Sequence, residues 1–407
     1  MPVAEFLLAL IAIFVAAKLF GEIAERFGQP AVLGEILGGI VVGVSGLHLV
    51  DPHNETIHLL SELGVILLLF LIGLETDLAK LLAVGGPAAA VAVVGVVLPF
   101  IGGYAFGAWL GLPGMVAVFL GAALTATSVG ITARVLSDLG HLKDPESQVV
   151  LGAAVVDDII GIILLTLLGQ LGRGSELSVF GVTKIVAIAF GFVVIAIVVG
   201  SKLAPWLVRT VERINVARGL FFASIVFAFV LAYLADVVGS AVIIGSFAAG
   251  LVLARTNKRK EIEHQVHDVA QFFVPIFFIV VGAAIDLKTI NPFNPETRQF
   301  LLIGLALTAI GILGKVLAGF AAWKPGLNKT VIGVGMVPRG EVGLIFAQIG
   351  LASGLLTGGL YSAVAVMVML TTLVAPPALR ALLDKRPPDL NDSVPDVVVD
   401  APSDEAF

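Results

Sequence analysis

Between Leu81 and Ala133 the chain runs for 53 residues without a charged side chain, and between Val342 and Leu379 for another 38. A membrane-spanning helix needs about 20 predominantly apolar residues. Neither stretch fits one crossing, so each must double back as a hairpin, the first at Gly111-Leu-Pro-Gly114. Reading the rest the same way gives thirteen candidate spans, near 3–24, 30–49, 57–75, 86–110, 113–137, 147–170, 178–208, 217–236, 239–255, 267–285, 299–321, 328–352 and 358–383. Composition agrees, since 13% of residues are charged where a soluble domain carries about 25%. The chain is therefore an all-α polytopic membrane protein. Its lack of cysteine excludes disulfides, thiol catalysis and zinc-thiolate sites.

Lys and Arg beside membrane spans accumulate on the cytoplasmic face. With the N-terminus outside and thirteen crossings, the inner segments hold 18 basic residues, among them Lys18, Lys80, Arg134, Lys143 and Arg255 to Lys260, and the outer segments hold only Arg173, Lys184, Lys288 and Arg298. That asymmetry predicts N-terminus out and C-terminus in. No signal peptide is expected, because no basic segment precedes the first apolar run. The net charge of −6 sits mostly in the last 24 residues, where seven acids face Lys385 and Arg386. This Pro-rich, Asp-repetitive tail, 384–407, reads as a solvated, disordered cytoplasmic end.

Two pairs of segments are alike at nearly equal separations. Leu69–Lys80 resembles Phe278–Lys288 at an offset of 209, and Thr125–Ile131 resembles Pro338–Leu344 at an offset of 213. Each shift passes seven spans, and an odd shift inverts the second half relative to the first, as in transporters whose substrate site lies between inverted repeats.

Ionisable groups in hydrocarbon cost about 2.5–3.5 kcal/mol on insertion scales unless paired or hydrated. Asp157 and Asp158 stand about ten residues into span six, near midplane. Adjacent helical positions point about 100° apart, so the two can border one cavity without sharing one site. Two carboxylates this close repel, which calls for a cation or a proton. Lys315, midway along span eleven, is the available partner of Asp157. The pair is either a static aid to insertion or one that breaks when a cation arrives, making Lys315 a proton carrier. Thr127 and Ser128 in span five offer hydroxyl oxygens to a hard cation, or bond back to their own helix. In span twelve, Pro338 and Gly340 weaken the helix beside Arg339 and Glu341. Both spans are candidates for local unwinding, with Arg339 and Glu341 compensating the exposed helix ends.

Glu35 and Glu75 lie near span interiors or ends without a role that the sequence decides. The six His fall in loops or at span ends, so none is a midplane relay. Arg255, Lys258, Arg259 and Lys260 form a basic cluster suited to anionic lipid headgroups. The chain carries no phosphate loop, nucleotide fingerprint or metal-ligand spacing. ATP-driven transport, enzymatic chemistry, a bound cofactor and nucleic-acid binding are accordingly not expected. An intramembrane aspartyl protease needs two aspartates facing each other from separate helices, which adjacent residues cannot provide.

Asp157-Asp158, Thr127-Ser128 one span earlier and Lys315 on the eleventh span together resemble bacterial sodium/proton antiporters of the NapA type, within the cation:proton antiporter superfamily. Phe70–Asp77, Thr125–Gly140 and Val155–Gly161 are similar to that group's segments, and the likeness runs from about residue 3 to 383. It implies a fold of inverted repeats with two crossed broken helices, in a homodimer whose mobile core moves like an elevator. By position, 1–80 and 213–290 would form the dimerisation domain, 81–172 and 291–383 the core, and 173–212 the linking helix. Asp158 would be the principal sodium ligand, Asp157 its neighbour and the partner of Lys315, and Thr127 and Ser128 nearby oxygens. The Asp-Asp pattern implies electrogenic exchange of two protons for one sodium or lithium ion across the bacterial inner membrane, supporting pH homeostasis and sodium tolerance. A potassium/proton exchanger is the nearest alternative, and a cation channel is an alternative of another class.

Overall fold

A computed structural model describes residues 2–172, 179–213, 218–286 and 295–383. Arg173, Lys288 and the acidic tail lie outside the described residues. The described chain is helical throughout, with no strand: α1 (Val3–Arg26), α2 (Ala31–Val42), α3 (Glu55–Glu75), α4 (Leu78–Ala83), α5 (Gly85–Trp109), α6 (Gly114–Ala123), α7 (Val129–Asp138), α8 (Pro145–Gly172), α9 (Val179–Glu212), α10 (Gly219–Val237), α11 (Val242–Leu253), α12 (Arg259–Ala283), α13 (Pro295–Ala318), α14 (Lys329–Gly335), α15 (Glu341–Ala352) and α16 (Gly358–Leu383). Among the described residues nine of these helices are long and apolar enough to cross a membrane unaided. Spans two and nine of the sequence reading, 30–49 and 239–255, are realised as the 12-residue helices α2 and α11. Spans five and twelve are each broken in two, into α6 with α7 and α14 with α15.

Local chemistry sets several boundaries. Asn54 caps α3 by accepting from the Thr56 and Ile57 amides, and Asn328 caps α14 by accepting from Thr330 and Val331. Asp77 starts α4 in the same way. The span read at 30–49 stops being helical at Val42, where Gly43 turns extended and Ser45 donates to the Ile285 carbonyl at 2.6 Å. The span read at 267–285 begins earlier, at Arg259, because a charged amphipathic turn continues the apolar helix beyond the hydrocarbon.

Two sets of helices pack within themselves and meet along a narrower seam. One contains α1, α2, α3, α10, α11 and α12, and the other α5 to α8 with α13 to α16. Glycines bring backbones together within the first set. A Cβ on Gly73 would strike the Phe247 carbonyl and one on Gly250 the Phe70 carbonyl, across α3 and α11. Gly39 and Gly282 stand in the same relation to Ile279 and Ile36 across α2 and α12. Small residues at such crossings supply the close packing that the hydrophobic effect does not drive inside lipid. The seam between the sets runs from α7 to α2 and α3, with α16 touching α2.

Candidate functional site

The site is built where the two broken helices cross. A helix end inside hydrocarbon leaves carbonyls and amides without partners, and here each break supplies what the other lacks. Thr125 closes α6 by donating to the Ala122 carbonyl at 2.8 Å. The Ser128 amide donates to the Pro338 carbonyl at 2.8 Å. Thr127 donates to the Met336 carbonyl at 3.3 Å and Thr132 to the Gly335 carbonyl at 2.7 Å, so hydroxyls of α7 and its lead-in satisfy the C-terminal end of α14. Arg339 is fully buried and donates through Nη1 to the Ala126 carbonyl at 2.8 Å, placing its positive charge beside the C-terminal end of α6. Thr372 of α16 donates to the Arg339 carbonyl at 2.5 Å.

Beside this crossing, α8 carries both aspartates. Asp157 is buried and faces α13, where the Lys315 ammonium lies 3.4 and 3.5 Å from its two oxygens. Lys315 is completely buried. Gly95 of α5 lies alongside it, where a Cβ would sit 3.4 Å from Nζ. Asp158 turns elsewhere. It is half-buried and borders a cavity of about 10 Å³ with Val129, Leu151 and Val155 of its own helix set and Leu69, Ile243, Ile244 and Phe247 of the other. That volume holds roughly one water-sized body. The 100° between adjacent residues thus separates one aspartate that faces a buried cation from one that faces the seam.

At the end of the molecule bearing most of the basic residues, a cavity of about 700 Å³ opens between the sets, walled by Glu75, Lys80, Lys143, Gln148, Arg259 and Glu263 among others. The basic cluster read as a lipid anchor divides there. Arg255 donates to the Ser201 hydroxyl at 3.4 Å and Lys258 pairs with Glu261 at 3.1 Å. Arg259 donates to the Glu75 carbonyl at 3.2 Å, and with Lys260 it lines the cavity.

The structure therefore brings Asp157 to Lys315, and Thr127 and Arg339 to carbonyls of the opposite break. Asp158 is set apart from the ion pair. Ser128 stands at the N-cap of α7 without a side-chain capping bond, its hydroxyl against Gly340. Glu341 opens α15, and its side chain lies outside what is described. Sequence reasoning missed Thr132 and Thr372. A threonine inside an apolar helix signals a hydroxyl in need of an acceptor, but does not say which carbonyl receives it.

A model of the family described as "Sodium/hydrogen exchanger, transmembrane" matches residues 8–385. The high-affinity Na(+)/H(+) antiporter NhaS3 of Synechocystis is 45% identical, the match covering 94% of this chain and 90% of the relative. The Na(+)/H(+)-K(+) antiporter GerN of Bacillus cereus is 40% identical over 92% of this chain and 96% of its own. The fold resembles that of the sodium proton antiporter MjNhaP1 of Methanocaldococcus jannaschii, with a TM-score of 0.73 and 19% identity, covering 95% of this chain and 97% of that one. The crossed breaks, the inverted halves and a match spanning nearly the whole chain lead to one statement of kinship: this protein belongs to the sodium/hydrogen exchanger family.

Proposed function

We propose that the protein is a secondary antiporter of the NapA type, exchanging cytoplasmic sodium or lithium for protons. The observation that carries this reading is the division of labour on α8. Asp157 is held by a buried lysine, while Asp158 faces a cavity the size of one small body. A sodium ion arriving at Asp158 adds positive charge beside Asp157 and weakens the hold of Lys315 on it. Protons returning to the carboxylates and to Lys315 restore the empty state. Cation and protons compete for the same groups, so a site carrying neither load does not cross. Two protons against one sodium moves net charge, and exchange is electrogenic.

In this reading α1 to α3 and α10 to α12 form the static, dimerising side, α5 to α8 and α13 to α16 the moving core, and α9 the link. The exposed stripe Val3, Leu7, Ile11 and Val15 on α1 supports a face toward lipid or a second copy. The N-terminus lies outside the bacterial inner membrane, and the 700 Å³ cavity is the cytoplasmic vestibule, with Arg255 and Lys258 at the headgroup level.

Proton flux in proteoliposomes, measured against sodium, lithium and potassium with membrane potential monitored, tests the proposal. Sodium- and lithium-driven proton movement with a potential of the predicted sign supports it. Sodium uptake without proton movement overturns it in favour of a channel. The similarity to GerN favours potassium as the alternative substrate, and preference for potassium in the same assay would select it.

A further inference from the structure

Among the described residues three acids are buried, and two have partners: Asp157 meets Lys315, and Glu146 accepts the Asn328 amide at 2.8 Å. The third is Glu35, 6% exposed in α2, whose Oε2 has no hydrogen-bond partner. An ionised carboxylate so placed loses hydration at that oxygen with no hydrogen bond in exchange, so its charge is costly to keep.

Its surroundings are charged and lie across the seam. From α7, the charges of Arg134 and Asp138 are within electrostatic reach of it, and these two form an ion pair at 2.9 Å. From α1, Lys18 and Glu25 act on it. α12 meets α2 through its uncharged half, with Gly282 against Ile36, and α16 brings Arg380 against Gly28 in the turn before α2. α7 connects this cluster to the ion site directly, beginning after Ser128 at the crossing and ending at Asp138. Glu35 thus stands on one helix set, and the Arg134–Asp138 pair stands on α7 of the other, the helix that packs against α2 at the seam.

We propose that Glu35 is a second proton-binding site, remote from Asp157 and Asp158, whose occupancy decides whether α7 is free of α2. With its proton, Glu35 makes no demand on Arg134, which stays with Asp138 as in the 2.9 Å pair. On losing it, the carboxylate draws Arg134 away from Asp138, and an ion pair then ties the two helix sets together. Rising pH therefore slows the core. This rests on the antiporter reading for its effect on turnover, but not for the protonation itself.

The experiment has two readouts on the full chain in lipid. In sodium-free membranes, infrared titration follows the protonated-carboxyl carbonyl band; one component should disappear with rising pH in the native protein and be missing throughout in Glu35→Gln. In proteoliposomes at saturating sodium, native turnover should fall by about tenfold per pH unit above that ionisation, as a single governing group requires, and Glu35→Gln should stay flat. Asp138→Asn, which loosens Arg134 from its partner, should move the fall to lower pH; this arm stands even if Glu35→Gln does not fold. Superimposable pH profiles for native protein and variants, or an unchanged carboxyl band in Glu35→Gln, would overturn the proposal. Absence of exchange in the native protein would instead count against the antiporter reading and leave the infrared result to decide the proton site.

Discussion

Arg339 donates a hydrogen bond to the carbonyl of Ala126, 213 residues away, and the two are equivalent positions of the internal repeat. The chain's inverted halves therefore touch at their own corresponding residues. At this contact the asymmetry lies in the side chains: an arginine in one half reaches the backbone of an alanine in the other.

Removing that guanidinium exposes the cost of the break. Arg339→Ala strips the donor from the Ala126 carbonyl and empties a fully buried volume, so a loss of about 2–5 kcal/mol is expected. Arg339→Lys keeps the charge but not the planar fork, and should fall between the two. Thermal melting in detergent, with and without added lipid, measures the order; a native melting temperature for the alanine variant would place the arginine's role elsewhere.

Asp158→Asn should reduce sodium-dependent proton movement to the level of empty liposomes while leaving the melting temperature nearly native, because its removal leaves the Lys315–Asp157 pair intact. Near-normal affinity and turnover in this variant would remove Asp158 from the ion site.

Lys315→Gln leaves Asp157 buried without its cation, and the fold should weaken. Adding Asp157→Asn should restore much of the melting temperature, since a buried pair is costly mainly when broken. Neither variant should carry native charge per sodium. A double variant with restored stability and unchanged electrogenicity would reduce the pair to a structural brace.

Competition fixes the sign of one pH effect. Acidification fills the carboxylates with protons, so the apparent KM for sodium should rise as pH falls, by about tenfold per unit for each competing proton. The limiting rate at saturating sodium should be unaffected by this term. Initial rates across a sodium series at several pH values separate it from the Glu35 effect, which acts on the limiting rate.

Much of the architecture was legible because hydrocarbon leaves a chain few choices. An apolar run must be a helix, and Lys315 and Asp157 had to find each other once both were inside. Helix ends were less visible. The residues after Val42 remain largely apolar, yet Gly43 turns there, and the charged turn from Arg259 continues α12 where hydropathy falls away. The break near Pro338 announced itself by composition; the one before Ser128 showed mainly through its likeness to the other half. Thr127 does not bond back to its own helix, since its hydroxyl donates to the opposite break at Met336. Hydroxyls accept many local solutions, and only the folded chain selects one.

The wall opposite Asp158 is made of Leu69, Ile243, Ile244 and Phe247, whose side chains are hydrocarbon. In the proposed exchange, where one helix set moves along the other, such a surface works as a bearing. It grips by contact area alone, its energy changes little as one side slides along the other, and it wets poorly. Friction and leakage are low for the same reason, so whatever checks the slide must come from the few polar groups at its rim.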